Sequence, residues 1–224
     1  MSTARDALRV VVLISGRGSN LQALVERTAG SEPPVSVVAV VSDRAGAAGL
    51  TWAESRGLAT AVLEPAAFAD RESYDRELAR VVERHRPDLV ALAGFMRILT
   101  ADFVDRFEGR MLNIHPSLLP RHRGLHTHRH VLEAGETEHG ASVHFVTREL
   151  DGGPVVLQAR VAVLPADDVQ SLAARVLSQE HRIYPLCVQW FASGRLRYAE
   201  GTAWLDGRKL QQPLVLEESD EIPV

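Results

Sequence analysis

An α/β fold, built on an open, mostly parallel twisted sheet with helices on both faces, is what this 224-residue sequence predicts. Three observations carry that reading. Near-continuous apolar runs such as Val10-Val11-Val12-Leu13-Ile14 and Leu89-Val90-Ala91-Leu92-Ala93 suit strands buried on both faces, the condition of a parallel sheet. Amphipathic stretches alternate with those runs in a βαβαβ rhythm, which implies right-handed crossovers. Near the C-terminus, short segments around Asp206-Gly207 predict a β-hairpin instead.

Composition bounds the function. With 46% hydrophobic and 24% charged residues the chain is an ordinary globular one, and its net charge of −4 argues against a general nucleic-acid binder. No apolar run is long enough to span a bilayer, and Met1 to Arg9 is too polar for a signal peptide, so a cytoplasmic protein is expected. Cys187 is the single cysteine, which excludes an intramolecular disulfide and a thiolate metal cluster; it is expected as a packed helix residue. One domain is expected over residues 1–215, as a monomer or homodimer, followed by a disordered acidic tail over 216–224.

The elements follow in order. Leu8 to Ile14 is the first strand, ending in Ser15-Gly16-Arg17-Gly18-Ser19-Asn20, after which Leu21, Leu24 and Val25 share one face of a helix through Ala29. This arrangement suits a phosphate, because glycines admit close approach and the free amides of a helix start favour negative charge. A dinucleotide fingerprint is the alternative, with Gly16 and Gly18 in place and Asp43 beyond the next strand to read a ribose. Leu21 stands where its third glycine belongs, so a monophosphate is favoured and no nicotinamide cofactor is expected. A tight turn without ligand is the plain reading.

Val35 to Val41 reads as a second strand, Ala47 to Gly57 as a helix closed by glycine, and Ala59 to Leu63 as a third strand. Phe68 to His85 is an amphipathic helix with Tyr74, Leu78, Val81 and Val82 on its apolar face, and Arg71, Arg76 and Glu77 towards solvent. After the strand Leu89 to Ala93, the loop Gly94-Phe95-Met96-Arg97-Ile98-Leu99 holds unexpected apolar side chains. They either pack on the next helix, about Ala101 to Phe107, or wall a pocket for a flat ring system.

Met111 to His115 is the strand on which function turns. Its period of two puts Asn113 and His115 on one face, with Leu112 and Ile114 on the other. Pro116 cannot continue a central ladder, so the pair is presented at the carboxyl end of the sheet, where open parallel sheets place ligand crevices. Taken singly, each is equally explained as a polar side chain satisfied by backbone.

Arg121, His122, Arg123, His126, His128, Arg129 and His130 form a basic segment. Histidines two apart fall on different sides of a helix and no thiol or carboxylate cluster accompanies them. A helix from Thr127 to Ala134 closed by Gly135, with no metal, is therefore expected. Ala141 to Val146 alternates as a strand with Ser142 and His144 on one face; His144 either supports the polar pair or is simply satisfied in place. Thr147 to Pro154 is a glycine-rich loop in which Asp151 has the plain role of a turn residue. Val155 to Val163 is a strand, Asp167 to Phe191 a long helix capped by Asp167 or Asp168, and Arg195 to Leu210 the terminal hairpin.

Five separated motifs now agree: Val11 through Gln22, Leu92 through Leu99, Asn113-Ile114-His115-Pro116-Ser117-Leu118-Leu119-Pro120, Gly124 through His128, and Ser142 through Pro154. Together they resemble the formyltransferases that use 10-formyltetrahydrofolate, over nearly the whole chain. Among these, the sequence is similar to the phosphoribosylglycinamide formyltransferases of purine synthesis, which act on glycinamide ribonucleotide.

The resemblance implies a Rossmann-like fold, 10-formyltetrahydrofolate as co-substrate, and Asn113, His115 and Asp151 as the catalytic trio. Gly18, Ser19 and Asn20 would hold the ribonucleotide phosphate and Glu180 its ribose. Arg71, Met96, Arg97, Ile98, Leu99, Asn113, Thr147, Arg148, Glu149, Leu150 and Asp151 would line the folate site, with Ser142 and His144 in support. On this view residues 8–110 bind phosphate, and residues 111–215 bind folate and carry the chemistry. Leu177 stands where some relatives have a polar or basic side chain, and a cis bond is implied before Pro120.

The residue types fit that chemistry. Attack of an amine on a formyl carbon makes an oxyanion, for which the Asn113 amide and a protonated His115 are donors. Asp151 would favour the charged imidazole and accept the amine proton, directly or through a water. Three rivals remain distinguishable. Methionyl-tRNA formyltransferase needs a further nucleic-acid-binding domain, for which no room is expected. Formyltetrahydrofolate hydrolase needs an N-terminal regulatory domain that Met1 to Arg9 cannot be. A non-catalytic nucleotide-binding module would need the glycine loop but not Asn113, His115 and Asp151.

Overall fold

The computed structural model describes residues 7–218 and 220. Seven strands come first in the chain: β1 (Leu8–Ile14), β2 (Val35–Ser42), β3 (Thr60–Val62), β4 (Leu89–Leu92), β5 (Met111–His115), β6 (Glu138–Phe145) and β7 (Val155–Ala162). Three short ones, β8 (Leu196–Ala199), β9 (Thr202–Leu205) and β10 (Arg208–Lys209), make a separate antiparallel sheet, and β11 (Leu214–Leu216) follows. The main sheet runs β11-β7-β6-β5-β4-β1-β2-β3. Strands β3 to β5 are mutually parallel, β6 is antiparallel to both neighbours, and β11 lies parallel to β7.

Helices α1 (Ser19–Arg27), α2 (Ala48–Ser55), α3 (Arg71–Arg84), α4 (Ala101–Arg106), α5 (Thr127–Glu133) and α6 (Val169–Ala192) cover the two faces. The reason β1 is apolar throughout is visible in its packing. Val10, Val12 and Ile14 belong to a core shared with Leu21 and Leu24 of α1, Leu50 of α2 and Leu172, Val176 and Ile183 of α6. Val11 and Leu13 face the opposite core, with Tyr74, Leu78 and Val82 of α3 and Phe103 of α4. Cys187 is buried in α6, as expected. Two capping boxes set helix starts later than the sequence reading has them. Asp70 accepts from the Ser73 amide at 2.6 Å to begin α3, and Asp168 accepts from the Gln170 and Ser171 amides at 2.9 and 2.7 Å to begin α6.

The C-terminus differs from expectation in two ways. The expected hairpin is part of a three-stranded sheet, and the chain then returns to the main sheet, where Leu214, Val215 and Leu216 pair with Leu157, Gln158 and Ala159. Leu216, assigned above to a disordered tail, therefore ends a strand that covers the edge of β7. Glu217 pairs with Arg160 at 3.5 Å, and Arg182 donates to the carbonyls of Glu218 and Asp220. Residues 219 and 221–224 of that tail lie outside the described residues. Among the described residues no helix is long and apolar enough to cross a membrane.

Candidate active site

Crossovers from β1 run to β2 on one side and lead to β4 on the other, so the carboxyl ends of β1 and β4 flank a topological switch point. A cleft of about 760 Å³ opens there and extends past β5. Asn113 and His115 both line it from β5, on the same face, as the strand period requires.

Strand β6 places a second histidine beside them, because Asn113 pairs with His144 and His115 with Ser142 across the β5–β6 ladder. Burial pushes His144 down to about 4, so it is neutral at pH 7. Its Nδ1 lies 2.9 Å from the Phe145 carbonyl, which only accepts; Nδ1 therefore carries the proton and Nε2 is an acceptor. The Asn113 amide donates to that Nε2 at 3.0 Å, and its second hydrogen has no partner among the described residues. Ser142 has a structural part. Its hydroxyl donates to the Ser117 carbonyl at 2.6 Å and accepts from the Leu119 amide at 3.0 Å, pinning the turn that ends in the cis Leu119–Pro120 bond.

Asp151 reaches the same point from the loop after β6. Its backbone is left-handed, with φ 48°, a region that aspartate tolerates better than most residues. One carboxylate oxygen, Oδ2, accepts from the Gly124 amide at 2.9 Å and lies 3.5 Å from His115 Nδ1, while Oδ1 is 3.8 Å from His144 Nε2. The Asp151 side chain is 9% exposed. His115 Nε2 in turn donates to the His122 carbonyl at 2.9 Å. Asn113, His115, His144 and Asp151 thus form one contiguous cluster from three segments.

At the other end of the cleft, Gly18, Ser19 and Asn20 form the start of α1. Gly18 has φ 74°, and a Cβ there would stand 2.8 Å from the Cα of Gly49, so the close passage of α2 requires glycine. Asn20 donates to Glu180 of α6 at 2.6 Å. Burial pushes the Glu180 carboxyl up to about 7, against the opposing pull of that hydrogen bond.

The folate-side residues divide. Met96, Arg97, Ile98 and Leu150 line the cleft, and Met96 and Ile98 are more than half exposed. The Arg97 guanidinium lies over the Tyr74 ring, 4.6 Å from its centroid. Five others do not line the cleft. Arg71 is the exposed first residue of α3, and Leu99 packs into the α3–α4 core. Thr147 is half-buried behind Gly153, while Arg148 and Glu149 are held away in ion pairs with Asp105 and Arg123. The sequence reading missed Ser15, Arg44, Val169 and Ala173, which also line the cleft. Val169, Ala173, Leu177 and Glu180 fall three or four apart, so helical spacing was the available signal for that wall. Among the described residues, no group of three or more His, Cys, Asp or Glu is arranged to hold a metal ion.

Residues 8–188 match the family model described as Formyl transferase. The chain belongs to the formyl transferase family. It is 55% identical over 203 residues to the phosphoribosylglycinamide formyltransferase of Escherichia coli (strain K12), covering 91% of this chain and 96% of that one. The solved phosphoribosylglycinamide formyltransferase of Coxiella burnetii, in complex with CHES, matches with a TM-score of 0.88 at 43% identity, over 93% of this chain and 100% of the other. Glycinamide ribonucleotide transformylase 1 of Symbiobacterium toebii matches with a TM-score of 0.86 at 41% identity, over 91% and 99%. A formyl transferase needs donor and acceptor on either side of one carbon, and the cleft has a polar, glycine-lined end and an apolar one.

Proposed function

We propose that this protein transfers the formyl group of 10-formyltetrahydrofolate to the amine of glycinamide ribonucleotide, a step of purine synthesis. The observation that carries the reading is the convergence of Asn113, His115 and Asp151 in a cleft whose far end is the glycine loop with Glu180. The phosphate sits against Gly18, Ser19 and Asn20, the ribose meets Glu180, and the folate ring lies along Met96 to Ile98 and Leu150.

The amine nitrogen attacks the formyl carbon, and the carbonyl electron pair moves onto oxygen. The second hydrogen of the Asn113 amide and a proton on His115 stabilise that oxyanion. His144 holds Asn113 in the orientation that aims this hydrogen. For His115 Nε2 to serve the oxyanion, its bond to the His122 carbonyl is exchanged for one to the oxyanion. Asp151 takes the amine proton, directly or through a water, and collapse of the intermediate breaks the bond to the folate nitrogen, which leaves protonated. No electrons change hands and the attacking amine is itself the nucleophile, so neither a nicotinamide nor a metal enters a step.

The test is product formation with each substrate withheld in turn. Tetrahydrofolate release only when glycinamide ribonucleotide is present supports the transferase. Release without it would mark a formyltetrahydrofolate hydrolase, and binding without turnover a nucleotide-binding module.

A further inference from the structure

A second hollow, of about 680 Å³, opens at the carboxyl ends of β1, β2 and β3 and has no role in the chemistry above. Ser15, Gly16, Arg17 and Arg44 line both it and the cleft, so the two meet at the glycine loop. Arg17 and Arg44 are exposed, and neither guanidinium is in an ion pair among the described residues. Two unpaired cations at the junction suit an anion held there.

Away from the junction the walls are short side chains: Ala45, Ala47 and Ala48 at the start of α2, facing Pro65 and Ala66 after β3. Walls of this kind leave room for a flat ring and give it apolar contact. Asp43, the residue after β2, also lines the hollow. It is 6% exposed and its Oδ1 has no hydrogen-bond partner among the described residues. A buried carboxylate oxygen without a donor is costly, and the end of the second strand is where doubly wound sheets place an acid that accepts from a ribose hydroxyl. Glu64, exposed on the outer rim, is an acceptor for an exocyclic amine.

We propose that this hollow takes the nucleoside of a nucleoside 5′-monophosphate with an amino-bearing base, its phosphate in the glycine loop. Such a nucleotide and the ribonucleotide substrate then exclude each other. The inference rests on the phosphate role given to Gly18, Ser19 and Asn20. A dinucleotide is the weaker fit, because the buried Leu21 occupies the position of the third fingerprint glycine.

Calorimetric titration of the whole chain with adenosine 5′-monophosphate, ribose 5-phosphate and NAD⁺ tests this. The monophosphate is expected to bind about tenfold more tightly than ribose 5-phosphate, as one added charge-assisted hydrogen bond allows. Excess ribose 5-phosphate should displace it. Glu64→Ala should erase the difference, because the base amine is what ribose 5-phosphate lacks, whereas Asp43→Ala should weaken both ligands alike; Ala48→Phe, which fills the slot beside the base, should also erase the difference. The proposal is overturned if the nucleotide binds no more tightly than ribose 5-phosphate, if NAD⁺ binds more tightly still, if ribose 5-phosphate does not compete, or if a folded variant binds as the parent does. Turnover of glycinamide ribonucleotide is read separately; its absence overturns the proposed function and leaves this site standing.

Discussion

Asp151 is tied at two points, to the Gly124 amide and to His115, which is more than a turn residue needs. Asp151→Asn keeps the size and the Gly124 contact but removes the base and the charge facing His115. Turnover should fall by about 10²- to 10⁴-fold, the range of general acid–base assistance, with KM for either substrate nearly kept. Steady-state kinetics decide it, and normal turnover removes Asp151 from the mechanism. Glu180 carries a prediction of a different kind. Its folded-state value of about 7 lies above the ordinary carboxylate value of 4.5, so between those limits the folded protein binds the extra proton. Stability is then greatest below about pH 4.5 as far as this group is concerned, and declines as pH rises through 7, by on the order of 3 kcal/mol. Glu180→Gln should flatten that decline in urea denaturation at pH 5 to 8; an unchanged slope would show that Glu180 does not set it. Asn113 and His115 were legible at this scale because a strand's period fixes their face. The directions of Arg148 and Glu149 were not, since a loop has no period and their partners Asp105 and Arg123 come from elsewhere in the chain.

The glycine loop shows how elements constrain each other. Gly18 is left-handed and passes α2 so closely that a side chain would meet the Gly49 backbone, while the Gly49 amide donates to the Gly16 carbonyl at 3.1 Å. Gly18→Ala therefore meets both the left-handed penalty of about 1–2 kcal/mol and a backbone collision that only displacement of α2 relieves. The expected outcome is a KM for glycinamide ribonucleotide raised about tenfold or more, with affinity for a folate analogue little changed; equal loss for both ligands would mean that the whole cleft, not the loop, had deformed. The strand, glycine and helix order that exposes this site is plain in the sequence, as are the parallel strands. By contrast, β11 is three residues beyond Pro213, too short to show a period, and its place on β7 is decided by an exposed sheet edge that only the assembled fold creates.

Across the whole molecule, the phosphate-side and folate-side halves share one sheet, and α6 packs on β6 and β7 while also meeting α1. A single cooperative unit is the expected consequence. Trp52 lies in α2, Trp190 in α6 and Trp204 in β9, so tryptophan fluorescence samples both halves and the small sheet. Its urea transition should coincide with that of far-UV circular dichroism, and two separated transitions would divide the chain into two domains. Ligands that bridge the halves should stabilise this unit as a whole. At a hundredfold excess over Kd, one bound ligand adds about 2.7 kcal/mol, which for a chain of this length moves Tm by about 5–10 °C. Because Asp151→Asn should lose chemistry and keep binding, its shift with glycinamide ribonucleotide should equal that of the parent. A variant that loses both turnover and the shift would mean that Asp151 holds the cleft together, so that its contacts with Gly124 and His115 are architecture and the proton needs another acceptor.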